Sequence, residues 1–426
     1  MKKVAGKIAL VLFGLFLALL FAEGLLRLIG FKPQTTARPP FYWSNAAGMD
    51  YDITENFPAF KYVVDRTTLT AWGNNIGCFD DNYNNESNFT LLVGDSFTWG
   101  LAPLQEKWGT LLQNYTGVRV LKCGLEGYGT RQELAKAKSI VSKVKHDPKL
   151  LVVGYFYNDI VEDWVPQTIA ILNGYPVAKS AILDETTGAT QTLSDQKNEE
   201  ELANYQTYCR PGIPQHRSLV RIRCLAQQNL ALYPYIKTVT QALLNAIGGN
   251  GFSSKISANE VPPVGTFLTR LPTSTYPWLP KLYENHFNYV AGFKKLADSY
   301  RAKLLFVLIP SKQMVYPSLY ADDLKTHPSL DLDVLHRSIR GFLDSSKIDY
   351  LDLTAPVIEH SASSTPHGTG PHNFYWVADD HLNIRGNQLA GLLVSQYVLE
   401  HDLVSSAPEE KSMQLQNIQT ALQKLQ

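Results

Sequence analysis

The sequence has no surplus of charge of either sign. Lys+Arg and Asp+Glu both number 39 in 426 residues. A nucleic-acid partner calls for a basic face or stripe, and nothing in this balance supplies one. A neutral chain also gains little long-range steering of charged ligands, so a neutral substrate fits better than a polyanion. Cysteine is scarce. The four residues, Cys78, Cys123, Cys209 and Cys224, form no C-x-x-C pair, so zinc-site spacing is absent. His360, His367 and His372 crowd one stretch but match no metal template. We expect neither a metal nor a cofactor.

Long apolar runs are also few, with one exception at the N-terminus. Lys2, Lys3 and Lys7 precede an apolar stretch from Ile8 to Ile29, interrupted by Glu23 and Arg27. A membrane span needs about 20 mostly apolar residues. Basic residues at its start keep that end in the cytoplasm. Leu20 is poorly suited to a cleavage site ending at Ala22, so an uncleaved anchor is expected rather than a signal peptide. Residues 1–7 would be cytoplasmic, 8–29 the single span of a bacterial inner membrane, and the rest periplasmic. In that oxidising compartment a Cys209–Cys224 bridge is favoured and Cys78–Cys123 disfavoured, since Cys123 reads as buried at a strand end.

Residues 30–85 are rich in Pro, Asn, Asp and Tyr and read as an irregular stalk and wrapping segment. An α/β pattern follows. Phe89–Val93, Val118–Leu121 and Leu150–Val153 are short apolar strands separated by helical patterns. Residues 164–270 break the alternation and read as an insertion, a lid or platform, with a hairpin over Val177–Thr192. The pattern resumes with an amphipathic helix after Lys281, strands at Lys303–Ile309 and Asp349–Leu353, and a last helix at Asn387–Glu400. The catalytic module would then be 86–163 joined to 271–402. Residues 403–426 would form a polar, solvated or partner-binding helix. Continuous apolar strands alternating with helices predict a parallel sheet covered on both faces.

Chemistry-bearing residues cluster just past the strands, at the carboxyl edge where open α/β sheets build sites. Gly94-Asp95-Ser96 follows the first strand, Gly124-Leu125-Glu126-Gly127 the second, and Gly154-x-x-x-Asn158-Asp159 the third. Asp379-Asp380-His381-Leu382-Asn383 precedes the last helix. Ester chemistry needs a nucleophile, a base and donors for the developing oxyanion. Ser96 on a tight turn and His381 as base meet the first two needs. A neighbouring acid would orient the imidazole.

Together the motifs Val-Gly-Asp-Ser-Phe at 93–97, Gly127, Gly-x-x-x-Asn-Asp at 154–159 and Asp-Asp-His-Leu-Asn at 379–383 resemble the SGNH, or GDSL, hydrolase family. The resemblance implies a three-layer α/β/α sandwich, flavodoxin-like, with about five parallel strands. It implies an oxyanion hole from the N–H groups of Ser96 and Gly127 and the amide of Asn158. Many members carry the orienting acid three residues before the histidine, where this chain has Ala378. Asp379, at D-x-H spacing, is the expected substitute, with Asp380 facing away. Thr98 denies the chain a G-x-S-x-G elbow and argues against an α/β-hydrolase. Trp99, Tyr128, Tyr155 and Trp376 lie beside the motifs and are candidate substrate-binding residues.

The expected activity is serine-dependent deacylation of an O-acyl, chiefly O-acetyl, envelope carbohydrate or a small ester. Transfer of the acyl group to a polysaccharide uses the same residues and stays open. The stretch Phe306–Lys312 is similar to a strand-end segment of exopolysaccharide acetyltransferases. A partner in envelope polysaccharide modification, or a non-catalytic carbohydrate-binding or assembly role, would fit the same location.

Overall fold

The computed structural model describes residues 2–30, 39–44, 48–64, 67–164, 169–172, 174–178, 181–183, 187–192, 218–233, 236, 274, 276–321, 331–365, 370–377 and 379–425. The chain divides into two compact units. One holds residues 1–39, 61–69 and 199–260, and the other holds 40–60, 70–198 and 261–426. Most of the expected 164–270 insertion lies outside the described residues.

The second unit is built on five parallel strands: β1 Phe89–Gly94, β2 Arg119–Lys122, β3 Leu150–Tyr155, β4 Lys303–Leu308 and β5 Asp349–Asp352. Their spatial order is β5-β4-β3-β1-β2. This is the flavodoxin-like order, with its switch point between β1 and β3.

The strands are apolar throughout because both faces are covered. Alternate residues point to opposite layers. Leu92, Val120, Val152, Leu305 and Val307 meet Trp108, Leu112, Leu389, Leu392 and Val398 on one side. Leu91, Val93, Leu121, Val153, Phe306 and Leu308 meet Leu134, Ala137, Val290, Phe293 and Ile339 on the other. The covering helices of the first layer are Trp108–Thr116 and Ile384–Glu400. Those of the second are Thr130–Lys143, Leu279–Ser299 and Val334–Ser346. The three-layer α/β/α sandwich and the five parallel strands follow the sequence reading.

Three expectations need correction. Residues 40–85 are not a loose stalk. They carry a hairpin, Tyr42–Ser44 with Tyr51–Ile53, and buried Phe41, Tyr51, Cys78 and Phe79. Buried ion pairs hold the segment, Asp52 with Lys136 at 2.5 Å and Asp80 with Lys122 at 2.7 Å. Second, Cys78 and Cys123 form a disulfide. Burial of Cys123 at the end of β2 did not prevent pairing, because the 40–85 segment packs over that strand end and brings Cys78 to it. Cys224 is also disulfide-bonded, while its expected partner Cys209 lies outside the described residues. Third, the polar C-terminal helix Pro408–Gln423 is not wholly solvated, since one face packs on the core through buried Ile418.

A hairpin lies within the expected Val177–Thr192 stretch, and a second precedes it. Ile169–Leu172 pairs with Tyr175–Ala178, and Ala181–Leu183 with Thr190–Thr192.

The first unit contains α1, Lys2–Leu28, and the helix Ser218–Asn229. Described apolar side chains along α1, among them Leu10, Phe13, Phe16 and Phe21, are exposed. Over the described residues no helix is long and apolar enough to cross a membrane; the side chains of residues 8, 9 and 12 fall outside that description. Glu23 pairs with Arg27 and accepts the N–H groups of Ala231 and Leu232 at 3.0 and 2.9 Å.

Candidate active site

The nucleophile candidate is placed by glycines. β1 ends at Gly94 with φ +154°, where a Cβ would meet Thr98 Oγ1 at 2.1 Å and the Gly154 carbonyl at 2.6 Å. Added Cβ atoms at Gly124 and Gly154 would also strike Thr98. The ends of β1, β2 and β3 thus close around one threonine, and side chains there would force them apart. The chain then turns sharply into the short helix α2, Ser96–Trp99. Asp95 caps it, accepting from Phe97 N at 2.9 Å. From Leu91 to Gly100 every residue except Ser96 is buried, so the turn presents a single hydroxyl.

His381 arrives from the far end of the sequence. Asn383 caps the helix Ile384–Glu400 through Gly386 N at 2.9 Å, and its amide holds the carbonyls of Asn373 and Tyr375. This fixes the approach of the imidazole. His381 Nε2 lies 2.7 Å from Ser96 Oγ. His381 Nδ1 lies 2.5 Å from Asp379 Oδ1, and the same carboxylate oxygen accepts His381 N at 2.8 Å. D-x-H spacing suffices because the acid folds back over its own turn. Asp380 instead accepts from Gln313 Nε2 at 2.8 Å and is well exposed.

The electrostatics separate base from acid. Burial disfavours a charged His381 ring, but the hydrogen bond and charge of Asp379, with Asp95 and Glu126 behind it, outweigh that cost and raise its pKa above 6.5. Burial likewise opposes ionisation of Asp379. Its bonds to His381 and the charges of His381 and Lys312 win and hold it below the usual carboxylate range. Asp95 differs. Complete burial pushes it up to about 6 against the Phe97 N–H, the His381 charge and the Ser96 hydroxyl 3.3 Å away.

The other expected oxyanion donors, Gly127 and Asn158, lie in the loops that follow β2 and β3, the two strands that border β1. Gly127 adopts φ +72°, which favours glycine and turns the chain after Glu126. Leu125 N ties that loop to the Gly94 carbonyl at 2.9 Å. Among the described residues nothing accepts the N–H of Ser96 or of Gly127. Asn158 follows β3 and its carbonyl caps the next turn, accepting from Val161 and Glu162. Its side-chain Oδ1 is buried without a partner, a cost of roughly 1–3 kcal/mol. A buried relay supports both loops. Asp163 accepts Arg131 N at 2.7 Å and lies 2.8 Å from His286 Nδ1, whose Nε2 is 3.0 Å from Tyr155 Oη.

The aromatic candidates do not line an open surface. Trp99, Tyr128, Tyr155 and Trp376 are all buried. Trp99 packs edge-on against Phe41. The Tyr128 hydroxyl donates to Tyr51 O, Tyr155 serves the relay, and Trp376 Nε1 donates to Leu101 O. The aromatic groups beside the base are Phe97, 4.7 Å from His381 between centroids, and Phe156, tilted 30° against Phe97 at 3.7 Å. Sequence reasoning passed over these two, and also Glu126, whose carboxylate faces the Tyr42 hydroxyl at 3.1 Å. Phe97 follows Ser96, Glu126 precedes Gly127 and Phe156 lies midway between Gly154 and Asn158, and that place inside the motifs was the available signal. His360 Nδ1 contacts its own helix at Pro356 O, and His367 lies outside the described residues. Among the described residues no cluster of metal-binding side chains forms.

No family model matches the chain, and no curated protein matches it. Solved structures give distant likenesses. A member of the lipolytic protein G-D-S-L family from Veillonella parvula DSM 2008 is 10% identical with a TM-score of 0.33, over 74% of this chain and 97% of that one. LAE5, an alpha/beta hydrolase enzyme from the metagenome of Lake Arreo, Spain, is 9% identical with a TM-score of 0.35, over 76% and 99%. Likenesses this remote assign neither family nor chemistry, which rest on the site itself.

Proposed function

We propose that the chain is a serine ester hydrolase acting through an acyl-enzyme. The observation that carries this reading is the unbroken line Ser96 Oγ, His381 Nε2, His381 Nδ1, Asp379 Oδ1, with steps of 2.7 and 2.5 Å across its two hydrogen bonds. Ser96 Oγ attacks the ester carbonyl and its proton passes to His381 Nε2. Asp379 keeps the tautomer with Nδ1–H and stabilises the imidazolium. The oxyanion forms beside the N–H groups of Ser96 and Gly127 and the Asn158 amide. Collapse expels the alcohol, which takes the proton from His381, and leaves Ser96 acylated. Water activated by His381 then releases the acid.

The substrate of this reading is an O-acetyl group on an envelope carbohydrate. The apolar N-terminal run behind three lysines supports an anchor that would hold the enzyme on the outer face of the cytoplasmic membrane, where such glycans are exposed. The three disulfide-bonded cysteines among the described residues, Cys78, Cys123 and Cys224, fit an oxidising compartment.

The test is turnover of p-nitrophenyl acetate with and without an O-acetylated oligosaccharide competitor. Wild-type protein should hydrolyse the ester, and Ser96→Ala should lose at least about 10³-fold in kcat while keeping its Tm. Equal activity in the two proteins refutes the serine mechanism. Release that requires a sugar acceptor identifies a transferase instead.

A further inference from the structure

Lys312 is buried to 2% exposure beside the catalytic loop, and nothing in the mechanism above uses it. It lies just past β4, after Ile309, Pro310 and Ser311, and opens the short helix Lys312–Val315 that Ser311 caps through Met314 N. Its ammonium lies 2.8 Å from Trp376 O, 3.3 Å from Val377 O and 3.4 Å from Asp379 O. The Asp380 carboxylate stands 3.9 Å away.

Burying an ammonium costs several kcal/mol, and an apolar side chain of similar volume is often as good for stability. A lysine at this position therefore asks for a specific task. Lysine alone among side chains places three donors on one rotatable point. Here they meet carbonyls that converge from the segment leading into Asp379 and His381. Around it, the end of β4 holds the same segment twice more. Tyr375 Oη donates to Pro310 O at 2.8 Å, and Gln313 Nε2 donates to Asp380 at 2.8 Å.

We propose that Lys312 is a positioning residue, a buried cation that gathers the carbonyls of Trp376, Val377 and Asp379 and so holds the Asp379 carboxylate against His381 Nδ1. This rests on the serine reading of the site. Lys312 touches neither substrate nor the reacting atoms and acts through Asp379. Its charge also favours the ionised carboxylate. The charged groups facing the imidazole are Asp379, Asp95 and Glu126.

The two parts of the proposal pull His381 in opposite directions, which makes the test discriminating. Removing a nearby positive charge and nothing else would raise the histidine's pKa. Releasing Asp379 would lower it toward 6.5. The full-length chain, purified in detergent, is compared with Lys312→Met by p-nitrophenyl acetate kinetics. His381 is titrated by NMR of ¹³Cε1-labelled histidine, assigned with His381→Gln. We expect kcat to fall about 30- to 300-fold, KM to stay within about threefold, and the His381 pKa to drop. A kcat within threefold of wild type, or a His381 pKa at or above the wild-type value, overturns the proposal. If Lys312→Met does not fold, Lys312→Gln replaces it, since its amide still offers two donors. A kcat reduced threefold or more with a lowered His381 pKa supports the proposal, and any other result overturns it. Failure of the serine reading is separately visible as a wild-type protein that turns over no ester. The NMR titration still decides the role of Lys312 in that case.

Discussion

At Ser96 and His381 the proton must pass between an oxygen and a nitrogen 2.7 Å apart, and it can do so only when the imidazole is neutral. The Asp379 carboxylate raises the His381 pKa above 6.5. The acid limb of kcat/KM should therefore turn over above pH 6.5, with activity lost as pH falls through that value. Asp379→Asn should lower kcat by roughly 10²–10⁴-fold and move the limb to lower pH. An unchanged limb in a pH–rate profile would remove Asp379 from the mechanism. Asn158→Ala tests the oxyanion donor, and a loss of about 10²–10³ in kcat is expected.

Asp95 makes a residue-scale prediction about stability. Burial pushes its pKa in the folded protein up to about 6, above the usual 3.8 of an aspartate. The contribution of this carboxyl to stability is thus fully present below about pH 4 and is lost as pH rises through 6. Asp95→Asn keeps the cap on Phe97 N and removes that loss. It should stabilise the protein by up to about 3 kcal/mol at pH 8 and by nearly nothing at pH 4. Denaturant melts at the two pH values read the difference directly.

At the scale of elements, the site depends on strand ends that meet around Thr98 and on segments clamped over them. The Cys78–Cys123 bridge spans a sequence separation of 45 and ends one residue before Gly124. Loop-closure entropy gives it roughly 4 kcal/mol. The Cys78→Ser, Cys123→Ser double variant should lose about 2–4 kcal/mol in a denaturant melt. Ile418→Ala, in the buried face of the C-terminal helix, should lose about 2–4 kcal/mol. A solvated helix would lose almost nothing.

The strands were legible because their apolar runs are continuous, and the serine, histidine and asparagine were legible because each follows a strand or opens a helix. What was not legible depended on partners far along the chain. The stretch from Pro40 to Asn85 is polar in composition, yet Asp52 and Asp80 are buried against Lys136 and Lys122. A composition rule reads such carboxylates as exposed. The same blindness hid Lys312, since a lysine reads as surface until its three carbonyls are seen. The aromatic candidates failed for the opposite reason. Position beside a motif does not say which way a side chain points, and all four point into the core.

At the scale of the catalytic unit, the order β5-β4-β3-β1-β2 sets β1 at the switch point, so that the loops after β1, β2 and β3 open on one edge. The helix Ile384–Glu400 packs against Trp108–Thr116 beside β1 and carries His381 to that edge across 285 positions. The parallel sheet thus does for this chain what a local motif cannot: it brings nucleophile and base together from opposite ends of the sequence. The most direct test is covalent labelling with a fluorophosphonate probe, with the modified residue mapped by peptide mass spectrometry. We expect a single adduct on Ser96, formed at wild-type rate only when His381 is intact. Labelling at another residue, or none in folded protein, would contradict the account.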